Sequence, residues 1–306
     1  MKSEIRRLLL SRPANKFCRL AARLLPTKAR ATLEHALPWI DPFDIALPNG
    51  RIVHWQPERD FVTKPIKFGG WDGYETHTIR IFYRLAETSD LTIDVGANVG
   101  YFSAVAAAAR AGNRVVAFEP MPLIAAKCRR LASRNPELKI EVAEVALGKE
   151  NGLGQMFSDD PRDGAQASLS PAAAASQSFA IRLSRLSDWL TERKEPAPDL
   201  IKIDTESTEP DVLAGMSGHA MSRRPAIILE VLPIARVALL ARFLHDNDYG
   251  CVALTDSGPE RRESPEPAPD GAPLNYLFYP LENGGPTAAL ARKIANEAPP
   301  EGNRHP

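Results

Sequence analysis

The sequence predicts an α/β fold in which a mostly parallel β-sheet carries helices on both faces. From residue 91 onward, short apolar runs typical of strands alternate with longer segments whose apolar residues recur at helical spacing. A glycine-containing loop joins the first of these strands to the next helix, and acidic residues follow several strands. Hydrophobic residues make up 44% of the 306 residues and charged residues 25%, a balance typical of proteins with a hydrophobic core.

The composition narrows the possible functions. Lys and Arg together number 38, and so do Asp and Glu, so the chain as a whole has no field that would attract nucleic acid. Cys18, Cys128 and Cys251 are odd in number and far apart, which fits neither a disulfide framework nor a metal clip. The six histidines show no zinc-binding spacing. No apolar run reaches the roughly 20 residues that span a bilayer, and we expect a cytoplasmic protein.

Residues 1–68 are expected to form an N-terminal extension of the main domain. Basic residues alternate with leucines over residues 1–36, a pattern typical of short amphipathic helices. Such helices either make weak contact with an anionic membrane surface or pack on the main domain with their charges in water, and the second arrangement is the commoner. Further along, Asn49-Gly50 separates two short apolar runs, which predicts a β-hairpin.

Residues 69–282 are expected to form the main domain. Apolar residues at helical spacing over 74–86 predict a helix that leads into the first core strand. Short apolar runs then alternate with helical segments. Strands are predicted at 91–95, 114–118, 139–145, 200–203, 226–231, 250–254 and 275–279, and further helices at 101–110, 123–134 and 234–247.

Three segments lack a clear periodicity. Residues 151–178, which include Ser168, are interpreted either as a lid over a substrate or as a surface insertion. Residues 256–273 are rich in Pro, Glu and Arg and are predicted to form a mobile loop. Residues 283–306 are predicted to be a partly disordered C-terminal tail.

The loop after the first core strand is the sharpest local feature. It reads Asp94-Val95-Gly96-Ala97-Asn98-Val99-Gly100 and opens the next helix. Gly96 permits a tight turn and Gly100 permits close packing, because neither carries a Cβ atom. Backbone N–H groups at the start of the helix would then face a ligand. The loop therefore predicts a Rossmann-like fold with a nucleoside-binding site.

Glu119, which follows the second core strand, is the predicted partner of that loop. It lies about 20 residues after Gly96, the offset at which an acidic side chain accepts hydrogen bonds from ribose hydroxyls. Asn98 replaces the middle glycine of the dinucleotide motif, and Asp94 would repel a pyrophosphate but could pair with an ammonium group. These features favour S-adenosylmethionine over NAD as the cofactor. An NAD-dependent Rossmann dehydrogenase is the alternative enzyme.

A second group of carboxylates follows the fourth core strand. Asp204, Glu206 and Glu209 lie just beyond residues 200–203, at the edge of the sheet where ligands bind in doubly wound folds. One of them could take a proton from a substrate hydroxyl while another orients that hydroxyl. The alternative for Glu206 and Glu209 is that they cap the helix starting near Pro210, because the helix dipole favours anions there. Three clustered carboxylates could also bind Mg²⁺, but the expected chemistry needs no metal and none is assigned.

Taken together, these motifs resemble the FkbM family of methyltransferases. The matching segments are residues 93–100, Ala117 to Pro120 and Leu200 to Glu209, with support from Trp71 to Glu75, Arg185 to Leu190 and Ile227 to Glu230. The resemblance implies a seven-stranded class I methyltransferase fold whose last strand runs antiparallel. It also implies transfer of a methyl group from S-adenosylmethionine to a hydroxyl oxygen.

The resemblance further implies which residues form the site. The cofactor would be held by the loop, the acid after the second strand, a segment after the third strand and two residues upstream of the loop: Asp94, Gly96, Ala97, Asn98, Gly100, Glu119, Pro120, Glu144, Ala146, Tyr74 and Glu75. Asp204, Glu206 and Glu209 would line the reacting centre. Ser207 is a departure, since such sequences usually carry glycine there. A side chain at that position would narrow the cleft or restrict the turn.

The expected function is O-methylation of a hydroxyl group on a sugar, a glycolipid or a natural-product scaffold. A non-catalytic nucleoside-binding scaffold domain, attached through the basic N-terminus, is the alternative from a different class. Nucleic acid is not an expected partner, and no motif identifies the acceptor or the oligomeric state.

Overall fold

The computed structural model describes residues 17, 40–58, 60–158, 177–282 and 284–300. Apart from residue 17, the segment in which amphipathic helices were predicted, residues 1–36, lies outside these ranges. Within the described ranges, no helix is both long enough and apolar enough to cross a bilayer.

The chain begins with the elements β1 (Phe43–Ala46), β2 (Ile52–Trp55), α1 (Thr63–Gly69), α2 (Thr76–Ala86), β3 (Leu91–Val95), α3 (Tyr101–Ala109), β4 (Arg114–Phe118), α4 (Pro122–Arg134), β5 (Lys139–Ala143), β6 (Ala146–Leu147) and β7 (Gly152–Ser158). It continues with β8 (Gln177–Ser184), α5 (Leu186–Arg193), β9 (Leu200–Ile203), α6 (Glu209–Ala214), β10 (Ala226–Val231), α7 (Val237–Asp246), β11 (Tyr249–Thr255), β12 (Gly258–Arg262), β13 (Leu274–Pro280) and α8 (Pro286–Glu297). A short 3₁₀ helix, Gly218–Met221, precedes β10.

One eight-stranded sheet forms the centre of the molecule, in the order β12-β11-β13-β10-β9-β3-β4-β5. The strands β5, β4, β3, β9 and β10 pair in parallel, whereas β13 is antiparallel to both of its neighbours. The seven predicted core strands are all present, and the prediction that the last of them runs antiparallel is confirmed. Because the parallel strands all end at one edge of the sheet, the loops that follow them converge there.

The eighth strand, β12, was not predicted. It pairs antiparallel with β11 through a turn at Gly258, whose φ is +110°. The sequence predicted a mobile loop over residues 256–273, and this is wrong for its first part. The charged residues and Pro259 are not typical of a strand, and for that reason β12 was not predicted. They are tolerated because β12 lies at the edge of the sheet, where one side of its backbone has no partner strand.

Hydrophobic cores fill both sides of the sheet. Successive residues of β10 face opposite ways: Ile228 packs with α2 and α3, while Ile227 and Leu229 pack with α5 and α7. Strand β3 is buried along its whole length. The sheet is therefore covered on both faces, as the near-continuous apolar runs of its central strands predicted.

A helix near the C-terminus corrects the prediction for residues 283–306. Helix α8 places Ala288, Ala291 and Ile294 in the core, and it contacts β13 and α2. The sequence predicted a partly disordered tail because most of the buried positions carry alanine, which gives only a weak apolar signal. Residues 301–306 lie outside the described ranges.

A second, three-stranded sheet lies beside the site, in the order β6-β8-β7. Strands β7 and β8 pair antiparallel from Gly152↔Leu183 to Ser158↔Gln177, so the prediction of an irregular segment from residue 151 is wrong for β7. Two glycines weaken the strand pattern there, and Gly154 leaves room for Leu183: a Cβ at Gly154 would lie 2.7 Å from its side chain. Ser168 and the rest of residues 159–176 lie outside the described part of the chain.

The predicted N-terminal hairpin is present as β1 and β2. The side-chain amide of Asn49 donates to the carbonyl oxygens of Ala108 and Ala109, 2.9 Å away in each case, and so satisfies carbonyls at the C-terminal end of α3. Trp55 packs edge-on against Tyr101 at the other end of α3. The extension therefore packs along the helix that begins in the glycine loop.

Candidate cofactor and acceptor site

A cleft opens at the C-terminal ends of β3, β4, β9 and β10, with about 1020 Å³ of empty space counted out to its mouth. Eleven of the fourteen predicted site residues line it: Tyr74, Glu75, Asp94, Gly96, Ala97, Asn98, Glu119, Pro120, Ala146, Asp204 and Glu206. The other three, Gly100, Glu144 and Glu209, are not among its lining residues.

The glycine loop bends sharply over the ends of two strands. Gly96 and Asn98 both have positive φ, +79° and +49°, a region that glycine and asparagine tolerate best. A Cβ at Gly96 would lie 1.8 Å from the backbone oxygen of Asp204, so no side chain fits where β3 meets the end of β9. The N–H groups of Gly96 and Ala97 donate to the carbonyl oxygen of Phe118, at 3.0 and 3.1 Å. These bonds fix the loop against the end of β4.

Gly100 serves packing instead of ligand contact. Its φ is +88°, and a Cβ there would lie 2.7 Å from the sulfur of Cys128. Glycine therefore lets the start of α3 approach α4. The prediction that Gly100 permits close packing fits this geometry, but its assignment to the cofactor site is not supported by its position.

Glu119 joins the loop to the cleft. One carboxylate oxygen accepts the backbone N–H of Asn98, and the other accepts that of Met121, both at 3.0 Å. Burial raises the pKa of Glu119 to about 7, although both hydrogen bonds oppose the shift. Because each carboxylate oxygen can accept a second hydrogen bond, Glu119 keeps the capacity to bind a ligand diol.

Asp94 lies beneath the loop and is almost fully buried. Its carboxylate accepts a hydrogen bond from the Ser103 hydroxyl, 2.6 Å away. Burial raises its pKa, while the charge of Lys202 lowers it. Asp94 therefore places a carboxyl group, held by Ser103 of α3, beneath the loop where it lines the cleft.

The side of the cleft beyond Glu119 is apolar. Val145, Ala146 and Leu147 line it from the start of β6, and Met156 reaches it from β7. Glu144 does not: its side chain is exposed and pairs with Arg129 on the surface. The predicted segment after the third core strand therefore reaches the cleft through Ala146, but the side chain of Glu144 lies on the surface.

Lys202 is a site residue that the sequence analysis missed. It is 2% exposed, its ammonium lies 2.7 Å from the Asp204 carboxylate, and it sits 4.2 Å above the centre of the Phe102 ring. Burial opposes its charge, but Asp204, Glu75 and Asp94 together raise its pKa above the usual value. A lysine inside the apolar strand Leu200–Ile203 was the available signal, because a buried ammonium needs carboxylate partners.

Three carboxylates gather beside Lys202. Asp204 and Glu206 were predicted, whereas Glu230, at the end of β10, had been noted only as part of the family pattern. Burial, and after it the negative charge of Asp204, raises the pKa of Glu206 to about 7 and the pKa of Glu230 to about 9. The cleft therefore holds more carboxylates than it can keep ionised near neutral pH.

Oxygens of Asp204, Glu206 and Glu230 lie within 4.8 Å of one another, close enough for the three to share a cation. Acidic groups meet that condition commonly without binding one, and Lys202 already places an ammonium against Asp204.

Glu209 braces the turn instead of lining the cleft. It is fully buried, and one of its oxygens accepts from the N–H and hydroxyl of Thr205 and from the N–H of Ser207, at 3.0 to 3.2 Å. The turn contains Glu206 and Ser207 with φ of +56° and +87°. The alternative prediction, that Glu209 serves the start of α6, is the one its position fits.

Aromatic residues form part of the cleft wall beside the start of α3. Tyr74 packs against Tyr101 and Phe61, with ring centroids 5.9 and 5.6 Å apart. Glu75 accepts a hydrogen bond from Asn275 at 3.0 Å, and burial raises its pKa. Phe61, from the N-terminal extension, was missed because a single aromatic residue near the start of a helix carries no motif.

In the large sheet, antiparallel β13 lies between β10 and β11, and the glycine loop and Glu119 line the cleft at the ends of the parallel strands. This strand order and this cleft define a class I methyltransferase fold. The chain belongs to the FkbM methyltransferase family, because the model of the methyltransferase FkbM domain matches residues 94–250, just over half of its length.

Three similar proteins match the chain over 46% to 66% of its length. The 31-O-demethyl-FK506 methyltransferase FkbM of Streptomyces tacrolimicus is 30% identical in an alignment 172 residues long. That alignment covers 46% of this chain and 65% of that protein, just under two thirds of its length. The solved FkbM methyltransferase of Methylobacillus flagellatus KT is 19% identical and covers 63% of this chain and 44% of its own, with a TM-score of 0.42. An O-methyltransferase of Bacillus cereus, solved in complex with SAH, is 15% identical over 66% of this chain and 78% of its own, with a TM-score of 0.39.

Proposed function

We propose that the protein is an S-adenosylmethionine-dependent O-methyltransferase whose acceptor is a hydroxyl group on a sugar, a glycolipid or a natural-product scaffold. One observation carries the proposal: Glu119 accepts the N–H of Asn98 and lines the same cleft as Asp204 and Glu206. The cleft would therefore bind a ribose diol at Glu119 and an acceptor hydroxyl group at Asp204 and Glu206.

The charges of the cleft support this cofactor over NAD. Asp94, Glu119, Asp204 and Glu206 line the cleft, and Lys202 is the cation among its lining residues in the described chain. A pyrophosphate would be repelled by this set, whereas the ammonium and sulfonium groups of S-adenosylmethionine would be attracted. Its methionine end fits near Asp94 and its ribose near Glu119, with the adenine against Val145 to Leu147.

The residues of the chain would act mainly by positioning. The bound cofactor supplies a methyl group that is already activated by the sulfonium. Lys202 fixes Asp204 at 2.7 Å, so that this carboxylate can orient an acceptor hydroxyl through a hydrogen bond. Tyr74 and Phe61 cover the cleft from the side and limit the access of water.

The class of acceptor rests on two kinds of support. The relative from Streptomyces tacrolimicus is a 31-O-demethyl-FK506 methyltransferase, and this name describes methylation of an oxygen. In this chain, the carboxylates around Asp204 would accept hydrogen bonds from hydroxyl groups and repel phosphate or carboxylate groups. Neutral hydroxyl compounds are therefore the acceptors that the cleft suits.

Calorimetry tests the cofactor. We expect S-adenosylmethionine and S-adenosylhomocysteine to bind, with the affinity for both reduced about tenfold or more in Glu119→Gln, which loses an ionised acceptor for the ribose diol. Glu192→Gln, a change at an exposed position of α5, is the matched control and should bind normally. Tighter binding of NADH than of S-adenosylhomocysteine would overturn the proposal in favour of a dehydrogenase.

Transfer of a labelled methyl group tests the reaction. The acceptors are methyl α-glucoside, methyl α-rhamnoside, cyclohexanol and a glycolipid extract, with glucose 6-phosphate as the anionic comparison. Label is expected in one or more of the neutral acceptors and not in the phosphate. Normal cofactor binding without any transfer, to these or to a cell extract, would favour a non-catalytic nucleoside-binding domain.

A further inference from the structure

The carboxylates of the cleft differ in how firmly other groups hold them. Four of them accept hydrogen bonds or an ion pair from the protein: Asp94 from Ser103, Glu119 from Asn98 and Met121, Glu75 from Asn275, and Asp204 from Lys202. A carboxylate that is held in this way is stabilised in its ionised form and is a weaker proton acceptor.

Glu230 is different. It is the one half-buried residue of the otherwise buried strand β10 and lies beside Asn275 of β13. It lines the cleft, and no group in the described chain donates a hydrogen bond to it. The charged or titratable groups that face it are Lys202 from β9, Asp204 and Glu206 from the turn after β9, and Tyr74 and Glu75 from the segment before α2. Its oxygens lie within 4.8 Å of oxygens of Asp204 and Glu206, where the acceptor hydroxyl is proposed to bind.

We propose that Glu230 is the catalytic residue that takes the proton from the acceptor hydroxyl, and that the positive charge of the bound cofactor prepares it to do so. This inference rests on the proposed function. In the transfer step, the acceptor oxygen forms a bond to the methyl carbon while the bond between that carbon and sulfur breaks, its electron pair remaining on sulfur. The hydroxyl proton moves to a carboxylate oxygen of Glu230. One positive and one negative charge thus disappear together, and the net charge of the site is unchanged.

The surroundings of Glu230 explain why the cofactor must come first. In the ligand-free cleft, burial and the neighbouring Asp204 raise its pKa to about 9, so that most of it is protonated at pH 8. A positive charge within a few ångströms favours the ionised form, and such a neighbour lowers a carboxyl pKa by about one to three. The arrival of the sulfonium would therefore release the proton and leave a carboxylate ready to accept another.

Two ligands separate this effect from binding alone. S-adenosylmethionine and S-adenosylhomocysteine share every group except the methyl and its positive charge. We expect the first to release more protons on binding than the second at pH 8. If the pKa of Glu230 falls from about 9 to about 7, the difference is roughly 0.8 proton per site.

The experiment is calorimetry of both ligands in phosphate and in Tris, two buffers with different ionisation enthalpies, so that the released protons can be counted. The proteins are the full chain and its Glu230→Gln, Glu206→Gln and Glu192→Gln variants. The full chain and the Glu192→Gln control should show the difference between the two ligands, and Glu230→Gln should lose it. On the acceptors named above, Glu230→Gln should lower kcat about 100-fold or more. A pKa that falls from about 9 to about 7 on binding strengthens the binding of S-adenosylmethionine about tenfold at pH 8, so its Kd should rise about tenfold in this variant, while the Kd of S-adenosylhomocysteine changes less than threefold.

The outcomes have separate meanings. Retention of the proton difference in Glu230→Gln, or its loss in Glu206→Gln instead, would overturn the inference while leaving the cofactor assignment intact. Failure of the full chain to bind either ligand would overturn the proposed function itself. If circular dichroism shows that Glu230→Gln does not fold, Glu230→Asp replaces it, because aspartate keeps the carboxylate but has a side chain shorter by one carbon. In Glu230→Asp the difference in released protons should remain while kcat falls. A normal kcat in this variant would contradict the inference.

Discussion

At the residue scale, the turn after β9 carries strain that one substitution can remove. Ser207 has a φ of +87°, a conformation that glycine adopts freely and other residues adopt at a cost of about 1–2 kcal/mol. We predict that Ser207→Gly raises the free energy of unfolding by about 1 kcal/mol, since the greater freedom of glycine in the unfolded chain offsets part of the gain. Urea denaturation measures it.

Ser257 provides the control for that prediction. It is exposed, lies in the turn between β11 and β12, and has no positive φ. Ser257→Gly should leave the stability unchanged or lower it slightly. Equal effects of the two substitutions would show that the backbone at Ser207 stores no strain.

Replacement of Lys202 is predicted to lower the free energy of unfolding. Without its ammonium, buried Asp94 and half-buried Asp204 and Glu75 would face one another with no cation between them. Breaking a buried ion pair by removing one partner costs about 3–5 kcal/mol, and we predict a loss near 3 kcal/mol for Lys202→Met at pH 8. The loss should be smaller at pH 5, because Asp94 and Glu75 have raised pKa values and protonation relieves their repulsion.

Denaturation of Lys202→Met at the two pH values checks this prediction. Lys139→Met, at the exposed start of β5, is the matched control and should change the stability by less than about 0.5 kcal/mol at either pH. A loss in Lys202→Met that grows as the pH falls would contradict the assignment of Lys202 as the countercharge of the cleft.

The site residues that could be predicted are those whose neighbours in sequence are also their neighbours in space. Asp94, Gly96 and Asn98 belong to one strand–loop–helix unit, so their positions follow from its geometry. Lys202 and Glu230 depend on which strands lie side by side, and that pairing has no local signal. The sequence offered helix capping as an alternative for both Glu206 and Glu209, and only the path of the turn decides that Glu206 lines the cleft and Glu209 does not.

At the element scale, the β7–β8 pair supplies part of the cleft wall. Met156 of β7 packs against Met121 and Ile124 of the main domain and lines the cleft beside Ala146. We predict that Met156→Ala weakens the binding of S-adenosylmethionine about five- to tenfold, which corresponds to about 1 kcal/mol of lost apolar contact.

Leu153 offers a matched control on the same strand. It is 86% exposed, so Leu153→Ala should leave the affinity unchanged by calorimetry while making a similar change in side-chain size. If the two substitutions have equal effects, or if Met156→Ala has none, β7 contributes nothing to the cofactor site.

The elements that sequence failed to predict share a physical cause. Strand β7 contains two glycines, β12 contains charged residues and a proline, and α8 buries mainly alanine. Each of these elements is stabilised by packing against neighbouring elements, so its own sequence shows only a weak apolar periodicity. The seven core strands were predictable because strands covered on both faces must be apolar along most of their length.

At the scale of the whole molecule, the crowding of carboxylates at one edge of the sheet makes stability depend on pH in an unusual direction. Glu119, Glu206 and Glu230 have pKa values raised to about 7, 7 and 9, above the ordinary value of 4.5. The folded protein therefore binds more protons than the unfolded chain between about pH 5 and pH 9, and its stability must fall as the pH rises through this window.

We accordingly predict that the Tm of the ligand-free protein falls between pH 6 and pH 9, by roughly 3 to 6 °C if the loss is about 2 kcal/mol. Glu230→Gln should flatten the upper half of that range, because its amide has no proton to lose, whereas Glu192→Gln should follow the unmodified chain. Saturating S-adenosylmethionine should reduce the fall, since its positive charges stabilise the ionised carboxylates. Differential scanning calorimetry decides the matter: a Tm that rises with pH across this window would mean that these carboxylates are already ionised and stabilised without the cofactor, and the inference that the charge of the cofactor ionises Glu230 would lose its basis.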